Sequence, residues 1–324
     1  MKSPKRIKLM VLLVASMLLL CGCKIGNTEI VYLQNIWPNQ VFKIDDEVCS
    51  KKEARVYLVN YRNIYGASYG VDLWQQDSNE ESLETYIKEK ALTQMARIKC
   101  MNGLAKEKDI SLSGEEKKKA AKAAETYYKS LSKEERKYLD VKQSDIEDMY
   151  QEYLLAAKVY QSLTDKVDTE ISDDEARVME VMQIFVSDEK KAEEIKARLQ
   201  NGEDFAALAG SYNEKGSIQT SFGREDVPEE VAEEAFELDN DQITDAIKTD
   251  EGYYFIKCMN KYNRKLTDEN KEALLEKRKQ EAFNKEYHAY MENVSKVLNQ
   301  RLWEKTKVDA PKEIKTDSFF EVID

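Results

Sequence analysis

Two kinds of hydrophobic spacing alternate along the chain. From Ser50 to Val167 apolar residues recur every three or four positions. Ala54, Tyr57, Leu58 and Tyr61 make one stripe, and Leu83, Ile87, Ala91, Met95, Ile98, Met101 and Ala105 make a longer one. That period puts one apolar face along each of a series of amphipathic helices. Ser50 with Glu53, Ser113 with Glu116, and Ser132 with Glu135 mark helix starts. In each pair the hydroxyl and the carboxylate can satisfy each other's backbone N–H. The first helix is expected to end near Gly66 and the second to start at Ser78–Glu81. The third runs from Ser113 to about Ser130, and Ser132 opens a short fourth. Ser144 opens a fifth with Ile146, Met149, Tyr150, Tyr153, Ala157, Tyr160 and Val167 on its face. Ahead of them, Ile30–Leu33 and Val41–Val48 read as strands around a break at Trp37-Pro38-Asn39.

The spacing changes over Ala176–Tyr262. An apolar, partly alternating run, ARVMEVMQIFVS, precedes a charged helix, a break at Gly202 and a second helix. A Gly/Ser-containing loop and a third short helix follow, then two apolar runs around Asp250-Glu251-Gly252. This β-α-α-loop-α-β-β order defines one small α+β domain. After Tyr262 the helical period returns. Thr267 is read as the cap of a long helix carrying Leu274, Arg278, Phe283, Tyr287, Tyr290, Val294, Val297 and Arg301, with Leu298 and Leu302 beside them. A broken stripe of that length needs a partner face, and the helices before Ala176 supply it. The chain thus leaves a helical body, makes the α+β domain, and returns to complete the body. Pro311 ends the last helix, and Phe319–Ile323 is left open between a final strand and a loose end.

Composition narrows the function. Charged residues make up 35% of the 324-residue chain, with only 11 Gly and 4 Pro, which favours long helices over a sandwich or barrel. The net charge is −12, and losing the four cations of the first 22 residues (Lys2, Lys5, Arg6, Lys8) would make it −16. No basic patch stands out along the sequence, so nucleic acid and anionic lipid are not expected as charge-driven partners. Those four cations precede an apolar run, Leu9–Leu20, that is too short for a span of about 20 residues. The run ends in Leu20-Cys21-Gly22-Cys23, which resembles a bacterial lipobox with Cys23 as the lipidated residue. The expected location is the extracytoplasmic face of a bacterial cell membrane, held by lipid. Cys49, Cys100 and Cys258 share no metal-ligand spacing with each other or with the single histidine, His288. They read as small buried hydrophobes, although one disulfide is open. Neither a metal nor a cofactor is expected. His288 reads as a solvated helix position. Tyr127, Tyr128, Tyr138, Tyr150, Tyr153 and Tyr160 read mostly as core, with the remainder available to line a client cleft.

The phrases QIFV (183–186), GEDFAALAGSY (202–212), SFGREDVPEEV (221–231), EEAFEL (233–238) and IKTDEGYYFIK (247–257) resemble a parvulin-type (PpiC-type) peptidyl-prolyl isomerase domain. The resemblance implies a four-stranded antiparallel sheet with helices. It also implies a site that lowers the barrier of about 18–20 kcal/mol to rotation about an X–Pro bond. Such a site pairs two histidines across the sheet, with an Asp or Cys nearby and a Met–Phe pocket for the proline ring. Position by position, the histidines fall on Gln183 and Tyr254, the Asp or Cys on Ile218, and the pocket on Val227 and Val231, with Phe222 beside them. No histidine lies between Ala176 and Tyr262. Gln183 and Tyr254 can form hydrogen bonds, but neither supplies a near-neutral titrating group.

With the phrases VFKIDDEVCSKKEARVYL, ESLETYIKEKALTQMARIK and LSGEEKKKAAKAAETYYKSL, the whole arrangement resembles the extracytoplasmic foldase lipoproteins of the PrsA type, with a SurA-like chaperone body. The expected layout is a lipoprotein signal peptide over 1–23, a helical chaperone region over 24–175, the parvulin-like domain over 176–263, and a returning helix and tail over 264–324. The expected function is a membrane-tethered foldase or holdase for unfolded or newly exported polypeptides, with a weak or inactive isomerase domain. The resemblance also allows a homodimer. An active isomerase is the alternative. A solute-binding lipoprotein is the weaker third reading, because it would need two lobes of repeated strand–helix units.

Overall fold

The computed structural model describes residues 38–69 and 83–323. Cys23, the segment around it, the strand expected at Ile30–Leu33 and the helix start at Ser78–Glu81 lie outside the described residues. The chain forms two compact units, one of Met1–Lys166 with Ala282–Asp324 and one of Val167–Glu281.

The first unit opens with a hairpin, β1 (Gln40–Ile44) and β2 (Glu47–Ser50), turning at Asp45 with φ 46°. Aspartate is among the few residues that tolerate that left-handed backbone. The helices follow as α1 (Lys51–Tyr69), α2 (Leu83–Glu107), α3 (Gly114–Ser130), α4 (Lys133–Leu139) and α5 (Gln143–Thr164). All three expected capping boxes form, at Ser50/Glu53, Ser113/Glu116 and Ser132/Glu135. The fifth helix starts just before Ser144, and it is Asp145 that accepts from the Lys142 N–H. The first helix passes Gly66 and ends at Tyr69.

The second unit contains β3 (Met179–Val186), α6 (Glu189–Gln200), α7 (Phe205–Tyr212), β4 (Gln219–Phe222), α8 (Glu229–Ala235), β5 (Ile247–Thr249) and β6 (Gly252–Asn260). Its sheet has the order β4-β3-β6-β5, antiparallel throughout. The fold class is therefore mostly helical with a small four-stranded antiparallel sheet, as the sequence predicts. The next helix, α9 (Arg264–Asn293), passes through the boundary between the units. Its cap is Asn263, whose side chain accepts from the Leu266 N–H. Thr267, read as the cap, lies inside the helix, and its hydroxyl accepts from the Val178 N–H at 3.1 Å.

The long helix stops earlier than its apolar stripe suggests. Residues Lys296–Leu298 form β7, which pairs with β1 in a three-stranded sheet of order β2-β1-β7. Val297 and Leu298 keep a helical spacing, but a ladder with Lys43 and Phe42 claims them. The short helix α10 (Gln300–Lys305) follows. Residues Phe319–Ile323 form a turn, with Phe319 and Ile323 each 2% exposed, so this segment is neither a strand nor a loose end.

The core of the first unit holds buried charge that its helical stripe does not reveal. Lys99 is 1% exposed, and its ammonium lies 3.1 Å from Glu53 and 2.6 Å from Glu152. Cys49, Cys100 and Cys258 are buried and free.

Candidate functional site

The two faces of the four-stranded sheet are buried against different helices. Met182, Ile184, Val186 and Phe255 share a cluster with Ala192 and Ile195 of α6 and with Phe205 and Leu208 of α7. Val181, Ile256 and Cys258 share another with Val231, Ala232 and Ala235 of α8. Strand alternation puts Gln183 and Phe185 on the α8 side with Val181, and Tyr254 there with Ile256. The register pairs Gln183 with Ile256 and Phe185 with Tyr254. Gln183 and Tyr254 are thus diagonal neighbours across β3 and β6, both half-buried.

Each is held by its surroundings. The Gln183 side-chain amide donates to the Ser217 carbonyl at 2.9 Å, and its backbone N–H donates to the Ile218 carbonyl at 2.8 Å. The Tyr254 ring lies 4.8 Å from Phe185, tilted by 54°. Residues 213–218 clamp the edge of β3 from outside. Asn213 accepts from the Phe185 N–H, the Glu214 N–H donates to the Phe185 carbonyl, and Glu214 accepts from Ser187. Gly216, at φ 71°, comes within 3.1 Å of the Gln183 amide at the place a Cβ would occupy. From the same loop Lys215 projects its ammonium 5.6 Å over the Phe185 ring, and its ion pair with Glu251 keeps it charged.

Val231 and Phe222 are buried core residues of the α8-side cluster, and Val227 packs against it half-buried with Tyr254. The Ile218 side chain belongs to the cluster on the opposite face. The fold therefore brings Gln183, Tyr254, Val227, Val231 and Phe222 to one side of the sheet and only the backbone of Ile218 to that group. Two neighbours escaped the sequence reading. Phe185 reads as a core strand residue, and Lys215 as one more loop cation. Cys258, the thiol of this cluster, is kept protonated by burial. The surface at Gln183 and Tyr254 thus offers an amide, a phenol and aromatic faces. It can hold an extended peptide by hydrogen bonds and stacking, but it has no imidazole.

In the first unit, Tyr127 and Tyr150 are core residues, while Tyr128, Tyr138, Tyr153 and Tyr160 are half-buried. Tyr160 packs on Phe283 at 5.2 Å. Folding also gathers charge that is scattered in sequence. Lys51, Arg55, Lys137, Lys305 and Lys307 border one open cleft that holds only Glu134 and Glu313 as carboxylates. Among the described residues no cluster of His, Cys, Asp and Glu could hold a metal ion, and no helix is long and apolar enough to cross a membrane.

Residues 158–268 match the PPIC-type PPIase domain, so the chain carries a domain of that class. Its homologues are named as foldase proteins. It is 34% identical over 171 residues to foldase protein PrsA 3 of Bacillus cereus, covering 50% of this chain and 59% of that protein. It is 32% identical over 200 residues to foldase protein PrsA of Caldanaerobacter subterraneus subsp. tengcongensis, covering 59% of this chain and 62% of the relative. The chain therefore spans less than two thirds of the length of these relatives. A crystal structure of the peptidylprolyl isomerase PrsA from Bacillus cereus is similar with a TM-score of 0.41 at 24% identity, covering 74% of this chain and 90% of that one.

Proposed function

We propose that this chain is a membrane-tethered extracytoplasmic folding factor that holds unfolded exported polypeptides, and that its PPIC-type domain binds peptide with little or no isomerase turnover. Similarity to foldase proteins supports the first part. The observation that carries the second is the state of Gln183. Its amide is already spent on the Ser217 carbonyl, and its diagonal partner Tyr254 is packed, tilted, against Phe185. Catalysis of X–Pro rotation needs groups that bind the twisted amide better than the planar one. A committed amide and a phenol on a packed ring supply little of that difference. Cys23 is the residue that would carry the lipid, and the layout 1–23, 24–175, 176–263 and 264–324 gives the functional parts.

A second reading has its own support. Gln183 and Tyr254 share one face, and the Tyr254 hydroxyl makes no hydrogen bond to a described residue, so it is open to a substrate carbonyl. The test is a protease-coupled isomerisation assay on proline tetrapeptides, run beside suppression of aggregation of an unfolded protein, with the chain from Lys24 onward. The expected result is an uncatalysed isomerisation rate with aggregation suppressed. Turnover above background that disappears in Tyr254→Ala would replace this reading with the active isomerase.

A further inference from the structure

Residues 307–318 form no helix or strand. Their backbone still needs hydrogen-bond partners, and over Ile314–Phe319 the first unit supplies these from side chains. Asn63 of α1 donates to the carbonyls of Ile314 and Thr316 at 3.3 and 2.8 Å. Glu135 of α4 accepts from the N–H groups of Lys315 and Thr316, both at 2.8 Å. Asn60 of α1 accepts from the Phe319 N–H at 3.1 Å, and Tyr150 of α5 donates to the Phe319 carbonyl at 2.8 Å. Six backbone groups are read by four side chains. None of these contacts depends on which residue the segment carries.

Specificity comes from two adjacent rings. Phe319 stacks on Tyr150 at 4.8 Å and 14°, and meets Tyr57 and Tyr127 at 5.5 and 5.3 Å. Phe320, half-buried, lies 4.8 Å from Tyr61 and 5.3 Å from Tyr57. Main-chain contacts for affinity and side-chain slots for selectivity are the general means by which proteins hold extended peptides. Tyrosine-rich walls accept varied rings at low entropic cost.

We infer that the groove between α1, α3, α4 and α5 is a binding site for extended polypeptide segments with adjacent aromatic residues, occupied by residues 314–323 of the chain itself until a client displaces them. This rests on the proposed role as a holder of unfolded chains and names where the client sits. The occupant is joined to the unit through Asp309–Glu313, where the Asp309 carbonyl accepts from Tyr138, Ala310 is buried, and Pro311, Lys312 and Glu313 are exposed. A short tether gives an effective concentration of about 1 mM or more. A segment with an intrinsic dissociation constant of about 0.1 mM would then weaken client binding by about tenfold.

The experiment places a specific protease site between Pro311 and Lys312 of the full chain, which is folded first and cut afterwards. A fluorescent peptide of residues 312–323 is the first probe, and reduced, carboxymethylated α-lactalbumin is the unfolded client. The peptide is expected to bind cut protein and not uncut protein. Client affinity should rise about tenfold on cutting and fall back when excess unlabelled peptide is added. A peptide that cannot exchange into the cut protein overturns the inference, as does exchange that leaves client affinity unchanged. If cutting unfolds the unit, uncut Phe320→Ala decides, with tighter client binding expected and unchanged binding refuting. Peptide exchange is read without any client. Failure of uncut and cut protein alike to bind α-lactalbumin, with the peptide still exchanging, would instead count against the holding role.

Discussion

Replacing Lys99 by methionine should cost the first unit much of its stability, by an amount that depends on pH. The substitution keeps an unbranched stem but deletes an ammonium that is 1% exposed. Glu53, itself 6% exposed, and Glu152 would then face each other without a cation. Removing one partner of a buried ion pair costs about 3–5 kcal/mol. In the native protein one ammonium serves two carboxylates. Burial and the charge of Glu53 push Glu152 up to about 7, against the pull of Lys99. Burial alone would lower Lys99, but Glu53 and Glu152 more than offset it and hold it above the usual lysine range. The raised Glu152 binds a proton in the folded state that the unfolded chain has released. Its contribution is fully present below the ordinary glutamate value near 4.5 and is lost as pH rises through about 7. Lys99 contributes on the other side, with stability lost only above the ordinary lysine range. K99M should therefore lose about 3–5 kcal/mol at pH 7, and only a few tenths of a kcal/mol less at pH 5, because wild type also takes up the Glu152 proton over that range. Urea unfolding followed by tryptophan fluorescence reports on this unit through Trp303, because the second unit, Val167–Glu281, has no tryptophan in its sequence. A loss below about 1 kcal/mol at pH 7, the range of exposed pairs, or one that grows by about 1 kcal/mol or more at pH 5, would refute the argument. E152Q should flatten the slope between pH 4.5 and 7.

Gly252 begins β6 at φ 152°, and a Cβ there would lie 2.5 Å from the Val186 carbonyl, so G252A should destabilise the second unit by about 1–3 kcal/mol or more, measured by amide exchange of β3 and β6. Asn60→Leu strips the Phe319 N–H and the Tyr127 hydroxyl of a partner and should cost about 1–3 kcal/mol in urea unfolding. Ser132→Ala removes a side-chain cap from α4 and should cost about 1 kcal/mol by the same measurement.

Local rules carried the helical part of this fold. Ser50/Glu53, Ser113/Glu116 and Ser132/Glu135 act over three residues, and each forms as spaced. The stripe through Ile87, Ala91, Met95, Ile98 and Met101 is buried along its length. What the sequence hides is decided by partners far along the chain. Val297 fits a helical stripe until β1, some 250 residues earlier, offers it a ladder. Lys99 lies beside Ile98 and reads as a solvated charge, and only the fold shows Glu53 and Glu152 converging on it. At the sheet, alternation along β3 and β6 is enough to put Gln183 and Tyr254 on one face. The position of Ile218 depends on a loop whose path is fixed by Asn213, Glu214 and Gly216, and no periodic pattern reports it.

The pairing of β7 with β1 sets a timetable for assembly. The second unit is one continuous stretch, Val167–Glu281, and can close as soon as that stretch is available. The first unit cannot be finished then. Its middle strand waits for Lys296–Leu298, and the Asn60 acceptor waits for Phe319, 259 residues further on. Until those arrive, the tyrosine-lined patch of α1, α3 and α5 that Phe319 covers stands open. Closure over so long a loop carries an entropic cost that folding of the nested unit reduces by shortening the effective chain. The first unit to begin is thus the last to close, and during its own synthesis it passes through the exposed, unfinished state that it is proposed to relieve in others.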